Sequence, residues 1–151
     1  MALDPAFSAH FGPGWSLMVG LVDSDGSARH ATCGRLATPG ALARDVTDAV
    51  HALGMLYGRQ PGVVDHAAAR NRHAECAGWF DAAVDGFAAE RALLAKLASA
   101  AGPLPSTPGQ AESEATILAQ RHALDTLAQS DRDGCAVGAA VALVLDWVAV
   151  R

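Results

Sequence analysis

Aromatic residues are scarce in this 151-residue chain: they make up 5% of it, although 51% of its residues are hydrophobic. An interior with so few rings has to be filled by Ala, Leu and Val, which suits closely packed helices. Cysteine is scarcer still. Cys33, Cys76 and Cys135 are odd in number and form no CxxC pair, which argues against a disulfide framework or a cysteine zinc site. Buried thiols in a reducing compartment are the simpler reading. Basic residues are outnumbered 11 to 16, for a net charge of -5. No Lys/Arg stripe is interleaved with aromatics, so nucleic acid is not expected as a partner. The N-terminal MALDPAFSAHFG lacks a basic segment followed by a long apolar one, so no signal peptide is expected.

Catalytic motifs are missing as well. The chain has no GxGxxG, P-loop, GxSxG or HExxH pattern. DSDG at 23–26 and DRDG at 131–134 lack the spaced ligands and final Glu of a calcium loop. Cys76 and His73 stand three apart, but nothing near them suggests a lowered thiol pKa or an oxyanion hole. No catalytic residue and no cofactor is assigned, and whether the protein is an enzyme stays open.

What the chain does have is one long apolar run, CAVGAAVALVLDWVAV at 135–150. Read as a helix it has no polar face, so it belongs inside protein or lipid. Sixteen residues at 1.5 Å each reach about 24 Å, short of the roughly 30 Å of a hydrocarbon core. Asp146 near its end also argues against a membrane span. The expectation is a central buried helix, with Cys135, Gly138, Ala139 and Ala142 as a small-residue face for close packing.

Pro-Gly pairs at 13–14, 39–40, 61–62 and 108–109 each precede a helix-like pattern. Thr38 and Thr107 can serve as N-caps, and Thr107/Gln110 and Ser130/Asp133 have capping-box spacing. A first helix carries Leu17, Met18, Leu21 and Val22 and stops at Gly26, with a β-hairpin through the DSDG turn as the competing reading; residues 27–38 read as a loop. Leu42, Val46, Ala49, Val50, Leu53 and Leu56 place a second helix at about 40–57. A short helix follows Pro61-Gly62. A long one from about 75 to 101 has the stripe Cys76, Phe80, Ala83, Val84, Phe87, Leu94 and Leu97. Another covers about 109–129. The fold expected is all-α, an up-and-down bundle of four main helices, with residues 1–38 packed on a bundle domain at 39–151.

Charged residues in line with apolar stripes are the candidate site. Glu90, Glu114, Arg121 and Asp146 occupy such positions, and a buried charge must be paired or hydrogen-bonded. The plain reading is ion pairing, chiefly Arg91 or Arg121 with Asp146 or Glu114. The sharper one is a metal site inside the bundle formed by Glu90, Glu114, His122 and Asp146, as in ferritin-like metal-dependent oxidoreductases. The paired Glu-x-x-His signature of those proteins is absent. His66, Arg70 and His73 share a helix face, read as a solvated face or an anion site. A small-molecule pocket beside His51 and Tyr57 is a third option.

GRQPGVVDHAAAR, PSTPGQAESEATILAQRHALDTLAQSDRDGCAVGAA and LVLDW give the segment His51 to Trp147 a resemblance to a domain-of-unknown-function family of small, Ala-rich helical proteins from alphaproteobacteria. The resemblance leaves out the N-terminal forty residues. It implies a bacterial, cytoplasmic protein and brings no activity, cofactor or catalytic residue. The function expected is a non-catalytic interaction or scaffold protein, a homo-oligomer formed through helix faces, with neither nucleic acid nor membrane as partner.

Overall fold

A computed structural model describes residues 5–104 and 108–151. Every element within them is helical. Seven α-helices run in chain order as α1 (Pro5–Asp25), α2 (Ala31–Leu36), α3 (Ala43–Tyr57), α4 (Val63–Arg70), α5 (Ala77–Ala101), α6 (Gln110–Ala128) and α7 (Cys135–Val150). Short 3-10 turns at Ser27–Arg29 and Ala74–Cys76 precede α2 and α5. The all-α bundle expected from the sequence is the fold observed, and no helix among the described residues is long and apolar enough to cross a membrane.

The chain divides into two compact units, Met1–Gly40 with Val141–Arg151, and Ala41–Ala140. In the second, α3 and α4 each pack against both α5 and α6. Its interior comes chiefly from α4 and α5. Val63, Val64 and Ala67 of α4 meet Phe80, Phe87 and Leu94 of α5 in burial, joined by Ala128, Ala136 and Ala140. Phe80, Phe87 and Leu94 recur every seven residues, so one face of α5 carries the bulkiest buried groups. Among the described residues no polar or charged side chain is fully buried, in keeping with the cost of removing such groups from water.

In the first unit the turn Ser27–Arg29 packs against both α1 and α2. Leu143 is its one buried residue among those described. Leu17 and Leu21 on α1 stay 65% and 53% exposed.

Several local expectations are corrected. Residues 27–38 are not a loop: they form the 3-10 turn and α2. Thr38 closes α2 rather than opening α3, because its hydroxyl and backbone N–H both donate to the Arg35 carbonyl. Pro13 lies inside α1 instead of at its start. Ser130 does not cap α7; its hydroxyl accepts from the Arg132 N–H, and the helix starts behind Gly134, whose φ of 72° suits glycine. The Thr107 cap falls outside the described residues.

The C-terminal helix is apolar all round in sequence but is not enclosed all round. Ala136, Ala140 and Leu143 form its buried stripe, Val141 and Val144 are half-buried, and Val148 is 55% exposed. Nor is its small-residue face closely packed, since a Cβ added at Gly138 would meet nothing within 4 Å. Larger side chains on α4 and α5 supply the interior that this helix was expected to supply.

Candidate functional site

Most of the inward-facing polar residues are bound to local structural partners. Asp65 sits in the first turn of α4. Its Oδ2 accepts the Gly62 N–H at 2.7 Å and Arg91 Nη1 at 2.9 Å, while Oδ1 accepts Arg91 Nη2 at 3.4 Å. The two side chains are only 14% and 9% exposed. The carboxylate thus caps one helix and clasps α5, a structural use of a forked cation.

Along α6 the inner row is Gln110, Glu114, Ile117, Arg121, Leu124 and Ala128, at helical steps of four and three. Glu114 accepts from Gln110 Nε2 at 2.8 Å. Arg121 donates to the Met55 carbonyl at 3.4 Å. Asp125 faces Arg59 at 3.7 Å. In the other unit Asp146 accepts from the Ser27 N–H at 2.7 Å and from its hydroxyl at 2.6 Å. The expected pairing of Glu114 with Arg91 or Arg121 does not form, and Asp146 takes both of its donors from Ser27, within its own unit. Each carboxylate is hydrogen-bonded within its own unit, which meets its need for a donor without an arginine.

Of the metal candidates, Glu90 and Glu114 are half-buried in the second unit, His122 is exposed on α6, and Asp146 belongs to the first unit. Among the described residues no three His, Cys, Asp or Glu side chains converge as a metal-holding group. His51 is used structurally: its Nε2–H donates to the Gly102 carbonyl at 2.7 Å, tying α3 to the end of α5. His66, Arg70 and His73 do not share a helix face, because α4 ends at Arg70 and Asn71 turns into extended backbone. A cleft of about 390 Å³ lies there, bordered by Arg70, Arg72, His73, Asp131, Arg132 and Asp133. Its charges are mixed, and Arg70 is already paired with Asp131 at 2.8 Å.

The outer face of α5 is different, because it is apolar and yet open. Trp79, Ala82, Gly86, Ala89, Leu93, Leu97 and Ala100 follow one another at steps of three and four, and all seven are exposed. Trp79, Leu93 and Leu97 are 40%, 37% and 41% exposed, and a Cβ at Gly86 would meet nothing within 4 Å. None of the seven is charged; Lys96, seven after Ala89, and Asp85 border the row on one side, and half-buried Glu90, seven before Leu97, borders it on the other. Leu97, expected in the buried stripe, stands on this outer row instead. The sequence carried the signal in Trp79, Gly86 and Leu93 at intervals of seven, a second apolar row beside the buried one.

Fold and surface together define the class, an all-α helical-bundle protein with an apolar helix face left open. The chain belongs to the family of unknown function DUF6975, whose model matches residues 22–151. The match starts at residue 22, well ahead of His51, so residues 22–40 of the N-terminal segment set outside the resemblance lie inside the family. Neither the curated proteins nor the solved structures gave a match.

Proposed function

We propose that this protein is a non-catalytic interaction or scaffold protein of the bacterial cytoplasm that assembles with copies of itself through helix faces. The observation that carries this reading is the uncharged, exposed row on α5. A helix in water is expected to turn its polar side outward, and a contiguous exposed apolar row marks an interaction surface. The net charge of -5 speaks against a nucleic-acid backbone as the partner.

Sedimentation equilibrium of the full chain across a concentration series tests it. The expected result is a mass that rises from 15.4 kDa to a multiple of that value. A chain that stays at its monomer mass up to the highest soluble concentration overturns the self-association reading.

A further inference from the structure

We infer that the occupant of the α5 face is α5 of a second copy, lying antiparallel across a two-fold axis near Ala89. The inference rests on the self-association reading and adds its geometry. The row carries its bulk unevenly. Trp79 stands at one end, Leu93 and Leu97 toward the other, and Ala82, Gly86, Ala89 and Ala100 are small. An antiparallel copy places Leu93 over Gly86, Leu97 over Ala82 and Trp79 over Ala100, so every large side chain meets a small one. A parallel copy in register sets Leu93 on Leu93 and Gly86 on Gly86, which crowds one level and leaves a void at another.

Charge gives the same orientation independently. Lys96 and Asp85 lie along one edge of the row, and both are exposed. In an antiparallel pair each edge faces the same edge of the other copy. Lys96 of one chain then falls within two residues of the level of Asp85 of the other, at both ends of the interface. In a parallel pair the acidic and basic residues stay at separate levels. Steps of three and four suit the shallow crossing of about 20° that brings such rows into register. The row from Trp79 to Ala100 runs about 33 Å at 1.5 Å per residue. One helix pair of that length is smaller than a standard interface of about 800 Å² per partner, so association in the micromolar range is expected.

Cysteine crosslinking tests the geometry. Cys33, Cys76 and Cys135 are replaced by Ser, retained helicity is confirmed by circular dichroism, and single cysteines are added at Ala89 or Ala82. Under mild oxidation Ala89→Cys is expected to crosslink to itself, while Ala82→Cys crosslinks only when mixed with Leu97→Cys. A dimer in which Ala82→Cys also links to itself overturns the antiparallel arrangement. A dimer in which neither links overturns the α5 face and leaves self-association standing; a monomer overturns both. Should the cysteine-free chain lose its helicity, Gly86→Leu in the natural background replaces it. Open space at Gly86 lets the monomer accept that side chain, and at least a tenfold weaker association is expected. Unchanged association overturns the proposal.

Discussion

Asp146 and Ser27 hold each other by two hydrogen bonds across 119 positions of chain, the carboxylate accepting from both the N–H and the hydroxyl of the serine. The contact anchors the start of the 3-10 turn at Ser27–Arg29 to the C-terminal helix and uses the one acidic group of that helix. Gly26 belongs to the same arrangement, since a Cβ there would press on the Val22 carbonyl and come within 2.8 Å of Asp146 Oδ1. Hydrogen bonds to a charged acceptor are worth about 1.5–3 kcal/mol. Asp146→Ala is therefore expected to cost about 2 kcal/mol and Ser27→Ala about 1 kcal/mol. Combined in one chain they should cost clearly less than their sum in denaturant unfolding. Strict additivity would mean the two residues do not act on each other.

The pair Asp65–Arg91 is nearly shielded from water, so removing one partner strands the other. Arg91→Ala is expected to destabilise the protein by about 3 kcal/mol, the scale of a broken buried pair. Arg91→Lys should recover only part of the loss, because an ammonium cannot span both carboxylate oxygens as a guanidinium does. Thermal unfolding of the two variants checks this. A loss below about 0.5 kcal/mol would place the pair with ordinary surface contacts.

Metal content separates the scaffold reading from the ferritin-like one. Protein purified without chelator is expected to carry iron, manganese and zinc far below one ion per chain. Stoichiometric metal, lost together in Glu90→Gln and Glu114→Gln variants that keep their helicity, would favour the enzyme.

The ends of the longer helices were legible where a sharp signal stood in the sequence. Gly58 follows α3, Gly102 follows α5 with φ of 78°, and Gly134 precedes α7 with φ of 72°. The six residues of α2 were not legible, because one and a half turns cannot repeat an apolar period. That helix is held locally, by the His30 ring accepting the Thr32 N–H at 3.3 Å and by Thr38 at its end.

Burial was less legible than helicity. Hydrophobicity alone cannot say which of two neighbouring apolar rows on α5 faces inward, nor that α7 keeps Val148 exposed while Ala140 is covered. Partner choice was the least legible of all. A sequence marks Glu114, Arg121 and Asp146 as needing partners, but Gln110, the Met55 carbonyl and Ser27 become their partners only through the geometry of the folded chain.

Self-association depends on the outer face of α5. Leu93→Lys with Leu97→Lys puts two charges on that row without touching Phe80, Phe87 or Leu94 beneath it. Sedimentation equilibrium at a concentration where the natural chain is associated is the direct measurement. The double variant is expected at the 15.4 kDa monomer mass, with circular dichroism and unfolding temperature close to those of the natural chain; an assembly of undiminished mass would show that the α5 face is not the interface.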